Sequence, residues 1–226
     1  SAASDVYKRQ NGKNEDAISI LDNYRINISK KLNDIIIKNL LPQLQDTPKY
    51  MLATPMMALE NAAETANEQG FIPIILSDTL EGEAHIEGKK MAELALQIKK
   101  DKKYKNINLN KPIILLSGGE TTVTVKGDGK GGRNTEFMLS MAIHLDKMKG
   151  ISGLAIDTDG IDGIEDNAGA YISENTLNKA SFARKNPEYY LSNNDSYTFF
   201  KSIDDLIYTS PTLTNVNDFR AILIEP

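Results

Sequence analysis

Lys111–Phe137 reads KPIILLSGGETTVTVKGDGKGGRNTEF, and the order of apolar runs and turns within it sets the fold class. Pro112-Ile113-Ile114-Leu115-Leu116 is a continuous apolar run suited to a buried strand, Ser117-Gly118-Gly119-Glu120 a turn, and Thr121-Thr122-Val123-Thr124-Val125 a β-branched second strand. So short a connection predicts a hairpin, because a parallel partner needs a crossover of about a dozen residues or more. The glycine-rich stretch 126–132 then leads into a helix over about 134–148.

Working outward, Phe71–Leu76 reads as a strand. Before it, Leu59, Ala62, Ala63 and Ala66 recur at helical spacing up to Gly70, and the apolar run Tyr50-Met51-Leu52-Ala53 comes earlier still. Strand, helix and strand in succession predict a βαβ unit with parallel strands. Ser77 or Asp78 is the candidate cap of a helix over roughly 80–100, which ends in the solvated charge run Lys99–Lys103, a candidate subdomain boundary. Ile28, Leu32, Ile35, Ile36 and Leu40 give a further helix over 27–44 that Pro42 ends. Downstream, strands at 151–157, 168–172 and 219–224 alternate with helices near 174–185 and 196–206. The expected class is α/β: a mixed sheet flanked by helices, with a Rossmann-like βαβ segment followed by a second α/β region.

Composition narrows the chemistry. The 226 residues are 40% hydrophobic and 25% charged, with a net charge of −5. No global basic field exists to hold a nucleic acid or an anionic membrane, so phosphate chemistry has to be local. Zero cysteines exclude disulfides, thiolate zinc sites, iron–sulfur clusters and a cysteine nucleophile. The two histidines, His85 and His144, cannot build a multi-histidine metal cluster, and each reads as structural or solvated. No apolar run approaches the roughly 20 residues of a membrane span, so a reducing, cytoplasmic setting is the expectation. The opening SAASDVYKRQ is polar and aperiodic, and residues 1–10 are read as a non-native remnant.

Three loops are candidates for chemistry. In Ser117-Gly118-Gly119-Glu120-Thr121, glycines let backbone N–H groups approach an anion and hydroxyls add donors, although a tight hairpin turn explains the same residues. In Lys126–Asn134, four glycines, two lysines and Arg133 precede a helix, which suits a polyphosphate or a carboxylate that Arg133 could grip bidentately; a solvated hairpin tip is the alternative. Gly127, Gly129 and Gly132 also fit G-x-G-x-x-G, so a dinucleotide-binding reading is weighed, against the hairpin that precedes them. In Asp157-Thr158-Asp159-Gly160-Ile161-Asp162-Gly163, clustered carboxylates at a strand end suit Mg²⁺ or deprotonation of a hydroxyl, with Asp157 and Asp159 on one side if the extended form continues. Asn193-Asn194-Asp195-Ser196 reads as a helix cap, and Thr212–Asp218 as a polar loop for a hydroxylated small substrate or an Asx-turn.

The order of these motifs is itself informative. LSGGETTVTVKGDGKGGRNTEF, DTDGIDG followed by NAGA, NNDSY and PTLTNVND together resemble the C-terminal MOFRL region of the glycerate 2-kinases, whose members often carry the name hydroxypyruvate reductase. ATPMMALENAAE and LSDTLEGEA extend the resemblance back to about residue 48. The resemblance implies ATP-dependent phosphorylation of the D-glycerate 2-hydroxyl with Mg²⁺. It implies a cleft between two α/β domains, glycerate and nucleotide as partners, and room for a homodimer. It also implies that 48–226 is the C-terminal α/β domain, with its MOFRL region at about 111–226, and that 11–47 is the tail of an N-terminal nucleotide-binding domain absent from the chain.

By that resemblance Ser117, Gly118, Gly119, Glu120, Lys130, Asn134, Glu136, Thr214 and Asn215 bind substrate or phosphate. Arg133 grips the glycerate carboxylate or the transferring phosphoryl group, while Asp159 and Asp162 orient the hydroxyl or hold Mg²⁺. Departures from the pattern are Thr135 for Gln, Asp157 for a small residue, and Leu213 for Gly. A nicotinamide-dependent hydroxypyruvate reductase and a noncatalytic anion-binding module remain alternatives.

Overall fold

The computed structural model describes residues 14–38, 51–101, 103–104, 107–108 and 111–226. The chain divides into two compact units, Ser1–Leu52 and Ala53–Pro226. In the first, α1 (Asn14–Asn23) precedes α2 (Lys30–Ile37), whose N-cap Ser29 accepts the Leu32 amide at 3.3 Å. That helix is the middle of the one expected over 27–44. Leu40, Pro42 and the opening decapeptide lie outside the described residues.

The second unit is built on six strands. They are β1 (Ile72–Leu80), β4 (Ile113–Gly119), β5 (Ile151–Asp157), β6 (Gly169–Ile172), β7 (Leu206–Ile207) and β8 (Asp218–Ile224), in the order β1-β4-β8-β5-β6-β7. Only β1 and β4 pair in parallel, and every other neighbour is antiparallel. The helices are α3 (Pro55–Glu68), α4 (Ala84–Asp101), α5 (Arg133–Leu145), α6 (Thr176–Phe182), α7 (Pro187–Ser192) and α8 (Ser196–Ser202). A two-residue ladder of β2 (Lys103–Tyr104) with β3 (Ile107–Asn108) stands apart. The class is the expected mixed α/β sheet. No described helix is long and apolar enough to cross a membrane.

The hairpin expected from 113–125 does not form. Both edges of β4 are taken, by β1 on one side and β8 on the other, so the β-branched segment has no place in the sheet. Gly119 turns the chain out with φ +102, where an added Cβ would lie 2.1 Å from the Leu80 nitrogen. Thr122 then makes a single bridge to Glu83, exchanging bonds of 2.8 Å with Gly82 and Ala84. Strand propensity lost to tertiary pairing.

The parallel unit is also displaced by one element from the expectation. Met51–Ala53 form no strand, and the crossover runs β1–α4–β4, so α4 rather than α3 is the connecting helix. Ser77 and Asp78 belong to β1 and cap nothing, and after Lys99–Lys103 the chain returns to the same sheet as β4.

The core joins Leu115, Ala155, Ala170 and Ile222 of the sheet to Met91 and Ala95 of α4 and Phe137 and Met141 of α5. Helices α4 and α5 approach through Gly88, where an added Cβ would sit 2.2 Å from the Phe137 carbonyl oxygen. Gly88→Ala gains about 1 kcal/mol of helix propensity but forces a backbone clash, and overpacking costs about 1–3 kcal/mol or more. The expected result is a lower denaturation midpoint in urea. An unchanged or higher midpoint would show that the helices can part freely.

Candidate functional site

The ends of three central strands meet at one edge of the sheet. Register places Ser117 of β4 opposite Arg220 of β8, and Asp157 of β5 opposite Asp218 of β8. Helix α5 begins over this edge and lowers Arg133 into it. The guanidinium donates from Nη2 to Asp157 Oδ2 at 2.5 Å and from Nε to Asp218 Oδ1 at 2.9 Å, with Glu120 Oε1 3.6 Å from Nη1. Asp218 is fully buried and Asp157 nearly so, whereas the Arg133 side chain keeps 22% of its surface exposed.

Charge states follow from this packing. Burial works against the Arg133 charge, yet Asp218 and Asp157 outweigh it and hold the guanidinium protonated beyond its ordinary range. Burial pushes the Asp157 carboxyl up from 3.8 to about 6, with Asp218 and Asp159 adding to the rise while the Asp159 amide and Arg133 oppose it. Arg220 is wholly buried, which lowers its pKa despite the Asp218 carboxylate 2.5 Å away.

The glycine-rich basic loop is not an open anion cradle, contrary to the sequence expectation. Its consecutive amides are already bonded: Lys126 and Gly127 to Asn194 Oδ1, Asp128 to Asn193 Oδ1, Gly129 to the Asn193 carbonyl and Lys130 to Asp195 Oδ1. The glycines serve close approach, since an added Cβ would come within 2.4 Å of Asn193 at Gly127, 2.4 Å of Asp195 at Gly129 and 2.3 Å of Ser196 at Gly131. The Lys130 ammonium lies 3.3 Å from Glu165. Asn193–Asp195 therefore line this loop. Asp195 stands at the N-cap position of α8 but makes no side-chain cap bond.

Asp162 is also reassigned. It is fully buried, and its carboxylate accepts the Asn134 and Thr135 amides at 2.9 and 2.8 Å, the Thr135 hydroxyl at 2.9 Å and the Asn134 side-chain amide at 3.3 Å. The N-terminus of α5, expected to receive a ligand anion, holds this internal one instead. With both oxygens satisfied inside the protein, Asp162 is a helix cap and not the expected metal ligand or hydroxyl-orienting group.

Asp159 has a different setting. The chain turns after Asp157, so the extended form does not continue, and the Asp159 amide bonds back to Asp157 Oδ1 at 3.1 Å. Its carboxylate accepts the Ile161 amide at 2.9 Å and lies 3.3 Å from the Asn215 side-chain amide, while remaining half-buried. Thr158 fastens this turn to the last loop by donating to the Asn217 carbonyl and accepting the Val216 amide. Thr214 and Leu213 are exposed, and Leu213 adopts φ +60.

The other expected residues scatter. Ser117 is buried with its hydroxyl unpartnered, the Gly118 carbonyl accepts from Arg220 at 3.2 Å, and Gly119 supplies only the turn. Asn134 is buried and donates to Asp218 Oδ1 at 2.9 Å, which joins it to the Arg133 cluster. Glu136 faces away, accepting from Asn194 at 2.9 Å with His85 Nδ1 at 3.4 Å. Among the described residues no group of three His, Cys, Asp or Glu side chains is arranged to hold a metal ion. Sequence reasoning missed Arg220, although a charge at its position in DFRAILI interrupts an otherwise apolar strand.

Residues 113–218 match the MOFRL family. A protein named putative hydroxypyruvate reductase from Agrobacterium vitis is 45% identical over 93% of this chain and 55% of its own length. A D-glycerate 2-kinase from Thermotoga maritima is 37% identical over 93% of this chain and 49% of its own. The crystal structure of a glycerate kinase from the same organism superimposes with a TM-score of 0.84 at 34% identity, over 94% of this chain and 50% of that one. The chain spans about half the length of these relatives.

Two outcomes test the assignments of Asp162 and Asp157. Asp162→Ala leaves two buried amides without an acceptor and is expected to lower stability by about 2–3 kcal/mol in urea unfolding; a loss within a few tenths of a kcal/mol would contradict the cap. Asp157 has a folded pKa raised above its ordinary 3.8, so its contribution is full below about 4 and is lost as pH rises through about 6. Relative to Asp157→Asn, the unsubstituted protein should therefore lose stability across that window. Parallel stability curves would show that the carboxyl titrates normally.

Proposed function

Residues 113–218 match the MOFRL family, and on that premise we propose that the chain forms the C-terminal part of an ATP-dependent glycerate 2-kinase, phosphorylating D-glycerate at its 2-hydroxyl. The observation that carries this reading is the posture of Arg133. Its Nε and Nη2 are tied to Asp218 and Asp157, which fixes the plane of the guanidinium. Among the described residues its Nη1 has the partly exposed Glu120 at 3.6 Å, and in this reading that edge meets the ligand. A cation so held suits phosphoryl transfer, which needs positioning and charge neutralisation more than covalent help.

In this proposal the Nη1 edge of Arg133, beside Glu120, takes the glycerate carboxylate or the transferring phosphoryl group. The turn Asp157–Gly160, fastened to Thr212–Asn217, frames the substrate, with Asn215 and Thr214 on the outer loop. Asp159 orients the 2-hydroxyl or receives the Mg²⁺ that accompanies ATP, because its carboxylate stays half-buried where that of Asp162 is enclosed. Mg²⁺ would supply neutralisation of the phosphate charge. The names of the Thermotoga maritima relatives support a kinase.

A nicotinamide-dependent hydroxypyruvate reductase has less support. Gly127, Gly129 and Gly132 follow no sheet strand, and amides of that loop are bonded to Asn193, Asn194 and Asp195, leaving them unavailable to a pyrophosphate.

The readings separate in paired assays, ADP release with D-glycerate beside NAD(P)H oxidation with hydroxypyruvate. Both are run on the chain alone and on the chain complemented by the remaining half of a relative. ADP release is expected, and Arg133→Ala should depress it on the order of a hundredfold or more, with Arg133→Lys failing to restore it because a lysine lacks the fork. NAD(P)H oxidation without ADP release would sink the proposal, as would near-normal turnover in the alanine variant. Ligand binding without either activity, even after complementation, would favour a noncatalytic module.

A further inference from the structure

The kinase reading makes Arg133 the working cation, and one of the two carboxylates that hold it, Asp218, is itself bonded to a second arginine that never reaches solvent. Arg220 lies in the middle of the sheet with none of its side chain exposed. Among the described residues its one ion-pair partner is Asp218, two residues earlier on the same face of β8, at 2.5 Å from Nη2 to Oδ2. The opposite oxygen of that carboxylate receives Arg133 Nε and the Asn134 side-chain amide, each at 2.9 Å. One carboxylate thus divides its two oxygens between a buried cation and a partly exposed one.

The remaining contacts of Arg220 fix its own place. Nη2 also reaches Thr121 Oγ1 and Nη1 reaches the Gly118 carbonyl, each at 3.2 Å, and the guanidinium lies 5.0 Å from the centre of the Phe137 ring. It therefore touches the turn after β4, the carboxylate of β8 and the first turns of α5 together. A buried charge is expensive, and replacing a buried ion pair by apolar side chains is often neutral or stabilising. Packing alone gives no reason to keep a guanidinium here.

We infer that Arg220 is a positioning residue: it pins Asp218 so that the carboxylate presents Oδ1 to Arg133, and thereby sets the plane in which Arg133 meets its ligand. This rests on the reading of Arg133 given above, but its geometric content does not. Without the cation at Oδ2, the Asp218 carboxylate loses the contact that fixes its plane. Arg133 is then held by Asp157 alone, with Glu120 at the far edge.

The test reads Arg133 directly. In the 226-residue chain with labelled arginine side chains, hydrogen exchange at Arg133 Nε–H is followed by NMR, with backbone amides of β5 and β8 as the control for folding. Exchange at Nε is expected to be at least tenfold faster in Arg220→Met and intermediate in Arg220→Lys, which restores the charge without the fork. Thr121→Val, which deletes one acceptor of Arg220, should move it a few-fold in the same direction. Arg133 exchange within twofold of the unsubstituted protein in a folded Arg220→Met variant overturns the inference. If that variant does not fold, unaltered exchange in Thr121→Val does so. In the complemented kinase assay turnover should fall in the same order, and normal turnover in Arg220→Met would also overturn it. Absence of ADP release from the unsubstituted protein would sink the kinase reading instead, leaving the exchange measurement to decide the role of Arg220.

Discussion

Asp218 accepts from two arginines with a carboxylate that is out of reach of water, and much of the second unit is arranged around that fact. A lone buried carboxylate would be protonated or expelled, and a lone buried guanidinium would be still harder to accommodate. Together with Asp157 they form an alternating series, Arg220, Asp218, Arg133, Asp157, that runs from the middle of the sheet outward to its edge. Each strand contributing to it must hold its register to within one residue, because a slip of one would turn the charged side chain to the other face of the sheet. The antiparallel pairing of β8 with both β4 and β5 meets that demand, placing Ser117 and Ala155 on either side of Arg220.

Periodicity made the layers readable and missed the partners. Strand β5 was anticipated at its full length, and β6, β8, α4 and α5 to within a few residues, because an apolar run or stripe is a property of the segment itself. The hairpin at 113–125 failed for the complementary reason. Thr121–Val125 has the composition of a strand, but whether a strand forms depends on a free edge, and β8, almost a hundred residues later, occupies the one beside β4. No local pattern announces that a distant segment takes that edge.

The site shows the same division. Arg133, Asn134, Asp159 and Asn215 were singled out from their motifs, and all lie around the one sheet edge or on the loop that borders it. Their neighbours decide what they do, and those neighbours are remote in sequence. Asp162 looked like a metal ligand because acidic residues in a glycine turn have that composition; its role as a cap appears only when α5 is brought to it. The glycines of 126–132 looked like a phosphate loop for the same reason. Glycine reports that something comes close to the backbone, and here the visitor is Asn193–Ser196. Arg220 has no local motif to mark it, since Gly118 and Thr121 reach it only when β8 pairs with β4.

The capped start of α5 has a further consequence for ligand competition. Asp162 is a tethered anion already seated on the amides that a free phosphate would use, and short tethers correspond to effective concentrations in the millimolar range or above. A soluble anion entering that position has to displace a resident that cannot diffuse away, and it gains only the difference between two similar charge-assisted contacts. The helix terminus thus acts as a closed port, its Asn134 and Thr135 amides already taken by Asp162.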